Sequence, residues 1–219
     1  MIIGITGLIG SGKDTVANLF VQQGCVQDSF ASALKDMCSS IFGWERSLLE
    51  GDTIESRDFR ETPDLYWTKK LGIDHFTPRL ALQLLGTDIM RTHFNENIWL
   101  SSLEYRMRKT LNTTKCVVVS DARFINELDL IRDLGGIVIN VTRNEKPDWY
   151  EYAVKANVEQ HVPSRHIMNT RYKNVHQSEW NWVGYDFDYI IDNSSTLENL
   201  QQVVSELQTE IFQKTLRAI

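Results

Sequence analysis

The sequence predicts an α/β fold, a parallel sheet with helices on both faces. Three observations carry this reading. MIIGIT, Met1 to Thr6, is a short Ile-rich run closed by Gly7, as suits a central strand buried on both sides. GLIGSGKDT, Gly7 to Thr15, follows it directly and runs into a helical pattern. Further apolar runs then alternate with amphipathic stretches, the pattern of parallel strands joined by crossover helices.

Taken in order, Asp14 to Gln22 reads as a helix, with Val16, Ala17, Leu19 and Phe20 as its apolar face. Cys25 to Phe30 reads as a second short strand. Ala31 to Phe42 is a helix, with Ala33, Leu34, Met37, Cys38 and Ile41 at helical spacing. Gly43 to Asp74 has weak periodicity, several charges and Pro63, and is expected to be irregular or partly helical. Pro78 suits the first turn of a helix running to about Phe94, with Leu80, Leu84, Leu85 and Ile89 on one side. Ile98 to Leu111 is the next helix. KCVVVSD, Lys115 to Asp121, is a buried strand ending in a polar pair. Asn126 to Leu134 is a helix stopped by Gly135-Gly136, and GIVINVTR, Gly136 to Arg143, is a strand. The span 144–185 is polar and aromatic without a clear period, and reads as an excursion that would hold a mobile lid. DYIIDN, Asp188 to Asn193, is the last strand. Thr196 to Leu216 is an amphipathic helix carrying Leu197, Leu200, Val203, Val204, Leu207 and Ile211. No repeat or linker interrupts the 219 residues, so a single domain is expected.

Composition narrows the function classes. Hydrophobic residues make up 42% and charged residues 24%, which argues against disorder. A formal net charge of −6 argues against a general grip on nucleic acid or on acidic membranes. Cys25, Cys38 and Cys116 are odd in number and without CxxC spacing, so neither a disulfide framework nor a zinc knuckle is expected and a reducing cytoplasm fits. The N-terminus lacks a basic leader, and no apolar run is long enough to span a bilayer.

GLIGSGKDT has the form of a phosphate-binding loop, Gly, four residues, Gly-Lys. Glycines let successive N–H groups face phosphate oxygens, and the helix that follows adds its positive end. Preceded by a strand and followed by a helix, the loop points to a P-loop NTPase fold, with Lys13 reaching the outer phosphates. Asp14 stands where a Ser or Thr hydroxyl usually meets Mg²⁺. It reads as a carboxylate favouring the helix dipole, as a Mg²⁺ ligand direct or through water, or as a repulsive group that the ion offsets; Thr15 then offers a hydroxyl to phosphate. Asp121, at the end of the VVVSD strand, occupies the place of a metal-orienting aspartate, or is a strand-end turn residue or helix cap. Arg123 would pair with Asp121 or Glu127, or face an anionic substrate. The loop, Ser120-Asp121 and Thr142-Arg143 all follow strands directly, so they are expected to converge beyond the carboxyl ends of the sheet. The five histidines are scattered without ligand spacing, and Ser120 and Cys38 show no triad pattern. Trp99 is either core or a base-contacting residue.

These residues resemble the bacteriophage deoxynucleoside monophosphate kinases. The resemblance rests on SGKD within the loop, ASALKD at 31–36, FRET at 59–62, PRLALQLLGTD at 78–88, FNENIW at 94–99, VVVSDARFINE at 117–127, INVTR at 139–143, HQSE at 176–179 and IIDN at 190–193. It implies a nucleoside monophosphate kinase-like fold with lid (about 144–185) and acceptor-binding (about 31–112) insertions, and a homodimer. It also implies ATP- and Mg²⁺-dependent phosphoryl transfer to a deoxynucleoside 5′-monophosphate in deoxynucleotide biosynthesis. By position, Gly10, Ser11, Gly12, Lys13, Asp14 and Thr15 would hold ATP phosphates and metal, with Asp121 supporting the metal and Lys13. Lys35, Arg60 and Arg79 would fix the acceptor phosphate, and Gln83, Gly86, Thr87 and Trp99 would line the acceptor nucleoside pocket. Arg123, Arg143 and the HQSE segment would face ATP or the lid. Lys13, Asp121 and Arg123 are the expected catalytic set.

Two other readings compete. Dephospho-coenzyme A and phosphomevalonate kinases use similar GSGK loops, but the LLGTD block favours the nucleotide reading. A nucleotide-dependent switch would need an NKxD-like base motif, which the sequence lacks.

Overall fold

The computed structural model describes residues 1–143 and 145–217. Asn144, where the excursion is expected to begin, lies outside the described residues. In chain order the elements are β1 (Ile2–Thr6), α1 (Lys13–Gln22), β2 (Val26–Asp28), α2 (Ser32–Phe42), a 3-10 turn (Arg46–Leu49), α3 (Ile54–Glu61), α4 (Leu65–Leu71), α5 (Pro78–Gln83), a π-helical segment (Leu84–Phe94), α6 (Ile98–Thr110), β3 (Val117–Val119), α7 (Ile125–Asp133), β4 (Ile137–Thr142), α8 (Tyr150–Asn157), α9 (Val162–Thr170), α10 (Gln177–Trp180), β5 (Tyr189–Asp192) and α11 (Leu197–Arg217). The chain divides into two compact units: a sheet unit, Met1–Ser29 with Met107–Ile219, and a helical unit, Phe30–Arg106.

In the sheet unit the strand order is β2-β3-β1-β4-β5, and every pairing is parallel. The apolar runs force this burial. Ile3, Ile5, Val118, Ile139, Val141 and Ile191 pack one face of the sheet against Val16, Ala17, Leu19 and Phe20 of α1 and Leu200, Val204, Leu207 and Ile211 of α11. The opposite face is covered by α7, which packs on β1 and β4 and buries Leu128 and Ile131. The predicted parallel sheet between helices is the observed one. Because β1 lies between β3 and β4 in parallel register, with Gly4 opposite Val119 and Thr6 opposite Asn140, the loops leaving these strands emerge side by side at one edge.

The helical unit has its own core. Leu34, Cys38, Trp44, Leu49, Phe76, Ala81 and Trp99 are buried together. Phe42, Trp44 and Phe76 form an aromatic group whose centroids lie 4.4 to 6.1 Å apart. Trp44 donates its indole N–H to Asp64 and Trp67 donates to the Phe42 carbonyl oxygen, which lets both rings be buried. Burial holds the Cys38 thiol at a pKa of about 11, so it stays protonated and inert.

Three expectations are corrected. The stretch from Pro78 changes from α to π hydrogen bonding at Leu84, so the LLGTD block begins a π segment rather than continuing an α-helix. The excursion is not aperiodic coil: α8, α9 and α10 occupy most of it, each too short for a repeat to stand out from its aromatic residues. The cysteines are not all free thiols. Cys25 and Cys116 precede the paired strands β2 and β3 and form a disulfide, with Cα atoms 4.5 Å apart. A separation of 91 residues gave no spacing signal.

Candidate functional site

The phosphate loop is built by the end of β1 and the start of α1. Gly12 takes φ 93°, a left-handed conformation that begins α1 without a side-chain cap. A Cβ there would lie 2.2 Å from Asn193 Nδ2. That contact is used: the buried Asn193 amide donates to the Ser11 carbonyl oxygen at 2.8 Å, and its own backbone N–H donates to Thr142 at 2.7 Å. Asn193, just past β5, therefore fixes the loop from the neighbouring end of the sheet. The Ser11 hydroxyl is buried without a hydrogen-bond partner among the described residues. An orphaned polar atom in a loop of amides marks a place where a ligand completes the bonding, and such a loop fits a phosphate group. Gly10 lies at its exposed tip.

Lys13 folds back on its own loop. Its ammonium donates to the carbonyl oxygens of Gly7 at 2.8 Å and Leu8 at 2.9 Å. Burial, followed by the positive charge of Arg123, pushes its pKa below the ordinary lysine value, while Asp14 and Glu179 act in the opposite sense. All four groups thus share one electrostatic neighbourhood.

Asp14 sits in the first turn of α1, where a carboxylate favours the helix dipole. It also accepts a hydrogen bond from Ser120 Oγ at 3.2 Å, and Ser120 in turn accepts from the Gln27 amide at 3.3 Å. The end of β3 is thereby tied to the loop, with Asp121 next in the chain. Thr15 is exposed on the same turn. Among the described residues no group of three or more His, Cys, Asp or Glu side chains is arranged to hold a metal by itself. Mg²⁺ keeps several waters and takes one or two carboxylates, so Asp14 with Asp121 is a donor set of a kind that fits it.

The 121–124 segment is held by Glu127, buried to 2% exposure, whose carboxylate accepts from the backbone N–H of Arg123 at 2.8 Å and Phe124 at 3.2 Å. The Arg123 guanidinium pairs at 2.6 Å with Glu179, the Glu of HQSE. Arg143 is exposed directly after β4.

In the helical unit, Lys35 and Arg60 meet at one residue, Glu50. Lys35 Nζ lies 2.5 Å from its carboxylate and Arg60 Nη1 donates to its carbonyl oxygen at 3.2 Å. Arg79 is paired with a different carboxylate, Glu61, the residue after Arg60 on α3. Gln83 ends α5, and Gly86 and Thr87 lie in the π segment. Trp99 is buried in the core and donates its indole N–H to the Gly86 carbonyl oxygen at 2.7 Å, so it fixes the 86–87 backbone and does not present a face.

Asn193, Glu50 and Arg46 were not singled out from sequence, though IIDN contains Asn193. Glu127 was named as a partner for Arg123, and it holds that residue by its backbone N–H while the guanidinium goes to Glu179. Glu50 and Arg46 carried no signal.

Comparisons with known proteins can be set beside this geometry. A family model described as deoxynucleotide monophosphate kinase matches residues 46–204. A protein of Acanthamoeba polyphaga mimivirus, assigned provisionally as a deoxynucleotide monophosphate kinase, is 37% identical over 154 residues, 65% of this chain and 74% of the relative. The deoxynucleoside-5′-monophosphate kinase of Escherichia phage T5 is 27% identical over 225 residues, 76% of this chain and 87% of the relative. Among solved structures, the dephospho-CoA kinase from Campylobacter jejuni superposes with a TM-score of 0.48 at 12% identity, over 98% of each chain.

Proposed function

This chain belongs to the deoxynucleotide monophosphate kinase family, and from that premise we propose that it moves the γ-phosphoryl group of ATP onto a deoxynucleoside 5′-monophosphate, giving ADP and the deoxynucleoside diphosphate. It is a kinase that phosphorylates deoxynucleoside monophosphates. One observation carries the fuller reading. The family match begins at residue 46, so it does not include the phosphate loop at 7–15. The loop, its unpaired buried Ser11 hydroxyl and the Lys13 ammonium are therefore support independent of the match.

Phosphoryl transfer needs positioning and neutralisation more than covalent chemistry. The loop amides of Gly10, Ser11 and Gly12 and the start of α1 hold the donor phosphates, with Thr15 adding its hydroxyl. Lys13 leaves the Gly7 and Leu8 carbonyls to neutralise phosphate charge. Asp14, Thr15 and Asp121 would hold Mg²⁺, which when bound supplies neutralisation of the phosphate oxygens. Arg123, held by Glu179 until substrate competes for it, and Arg143 add positive charge on the donor side. Lys35, Arg60 and Arg79 take the acceptor phosphate. Gln83, Gly86 and Thr87 line the nucleoside, and Trp99 keeps their backbone in place. The acceptor phosphate is already anionic at pH 7, so no strong general base is required. In this reading the 31–112 span binds the acceptor and 144–185 closes as a lid that excludes water. The enzyme works in the cytoplasm as a homodimer in deoxynucleotide biosynthesis, without nucleic-acid or membrane partners.

A coupled assay with ATP, Mg²⁺ and a panel of deoxynucleoside and ribonucleoside monophosphates tests this. Transfer to at least one deoxynucleotide is expected, with Lys13→Ala about 10²-fold slower while its melting profile is unchanged. No transfer across the panel sinks the reading, and near-normal turnover by Lys13→Ala removes the lysine from its role.

A further inference from the structure

One cation proposed for the acceptor phosphate, Lys35, is already neutralised from within the helical unit by Glu50, and a second, Arg60, bonds the backbone of the same residue. Glu50 accepts from Lys35 Nζ at 2.5 Å and from Arg46 Nη1, while its carbonyl oxygen takes Arg60 Nη1 at 3.2 Å. Lys35 comes from α2, Arg46 from the 3-10 turn and Arg60 from α3. α2 and the 3-10 turn therefore place positive charge against one carboxylate, and α3 places a guanidinium at the backbone of the same residue.

The backbone around Glu50 is fixed. Arg57 donates to the carbonyl oxygens of Gly51 at 3.1 Å and Asp52 at 3.2 Å, next to the Arg60 bond to Glu50. Gly51 takes φ 78°, and a Cβ there would lie 1.9 Å from Arg60 Nη1. The arginine is thus pressed against bare backbone and neither part can shift far. The Glu50 side chain is different. It is 40% exposed, whereas the Lys35 side chain it neutralises is only 14% exposed. A rotation about the Glu50 side chain would leave the ammonium of a mostly covered lysine without its counter-charge, an unfavourable state unless another anion takes the place. Arg46 would stay oriented, because Asp36 Oδ1 holds its Nε at 2.6 Å.

The chemistry selects the replacement. A carboxylate brings one negative charge and two oxygens. A phosphate monoester brings a charge of about −1.5 to −2 and three acceptor oxygens. We propose that Glu50 is a displaceable internal counter-ion: its carboxylate occupies a cradle formed by Lys35 and Arg46, with Arg60 at its backbone, and yields it to a dianionic phosphate monoester, which makes Arg46 a further phosphate-binding residue. This rests on the acceptor-side reading given above for Lys35 and Arg60. Burial pushes the Glu50 carboxyl pKa upward, yet Lys35 and Arg46 outweigh it and hold the group below its ordinary value, as an anion stand-in requires. The arrangement preorganises the cations while the site waits, and it disfavours singly charged anions, which gain nothing by the exchange.

The test is titration calorimetry of the full chain with inorganic phosphate, alongside acceptor kinetics. Glu50→Gln keeps the shape and drops the charge. It should bind inorganic phosphate more tightly, and lower the acceptor KM, by about two- to fivefold, the scale of one opposing charge removed from a partly exposed pair. The KM for ATP should not move, and Glu50→Asp should return phosphate affinity towards the parent value. Arg46→Ala should weaken phosphate binding about tenfold or more at unchanged ATP KM. If Glu50→Gln binds phosphate equally or more weakly while the kinase remains active, Glu50 is only a strut and the proposal is overturned. If Glu50→Gln does not fold, Arg46→Ala decides: unchanged phosphate affinity overturns the proposal and a loss supports it. A parent protein that transfers nothing to any deoxynucleotide, yet gains phosphate affinity with Glu50→Gln, overturns the kinase reading and keeps the cradle.

Discussion

At the scale of single residues, the phosphate loop depends on a side chain that its own motif does not contain. Asn193 is 182 positions from Ser11, and its amide is the donor to the Ser11 carbonyl oxygen. Gly12 makes the approach possible, since any Cβ would meet that amide at 2.2 Å. Asn193→Asp puts an acceptor against an acceptor in a buried place and should cost about 1–3 kcal/mol. Gly12→Ala should cost a similar amount, from the φ of 93° and the lost contact together. Both should raise the KM for ATP. Chemical denaturation and ATP titration read the two effects; a Gly12→Ala variant as stable as the parent would show that Asn193 does not brace the loop.

At the scale of elements, legibility followed distance along the chain. β1, the loop and α1 were readable because their signals are contiguous: an apolar run, spaced glycines, a helical face. Asp14 looked anomalous in the motif because its partner, Ser120, lies 106 residues away. The Arg123–Glu179 and Lys35–Glu50 pairs, 56 and 15 residues apart, have no periodicity that sequence inspection could find. The excursion was opaque for another reason. α8, α9 and α10 are eight, nine and four residues long, and short helices take their stability from tertiary contacts more than from pattern. One such contact is Asn157, which ends α8 and whose amide nitrogen lies within hydrogen-bond distance of the carbonyl oxygens of Trp180, Asn181 and Val183 at 2.8 to 3.2 Å. It ties the end of α10, and hence Glu179 and Arg123, to α8. Asn157→Ala leaves those carbonyls without their donor. Hydrogen exchange should speed up at the 177–183 amides by about tenfold, corresponding to about 1–2 kcal/mol of local stability, while β1 and β4 stay protected. Exchange unchanged across 177–183 would mean that the amide does not hold α10.

At the scale of the whole molecule, the covalent chain is closed by one bond that the composition argued against. The Cys25–Cys116 disulfide joins the approaches to β2 and β3 across a sequence separation of 91, and the loop it closes includes the entire helical unit. Both sulfurs lie in the sheet core, with the two residues 4% and 1% exposed, so the bond adds no new surface and acts mainly on the unfolded chain. In the chain-entropy picture, closing a loop of this length removes unfolded-state freedom worth about 4–5 kcal/mol, of which disulfides typically deliver about 2–4 kcal/mol. The β2–β3 pairing does not depend on it: Val26 N donates to the Cys116 carbonyl oxygen at 2.9 Å, and the parallel register runs on through Asp28 and Val119. Cys25→Ser/Cys116→Ser should therefore fold with the same sheet and the same phosphate-loop chemistry, but unfold at lower denaturant concentration than the oxidised parent, by an amount matching about 2–4 kcal/mol. Adding reductant should bring the parent down to the level of the double variant and leave that variant unmoved. In a reducing compartment the chain would work as the dithiol, so turnover measured in reductant should equal turnover without it. A parent whose denaturation midpoint ignores reductant would show that the two thiols pack side by side without joining.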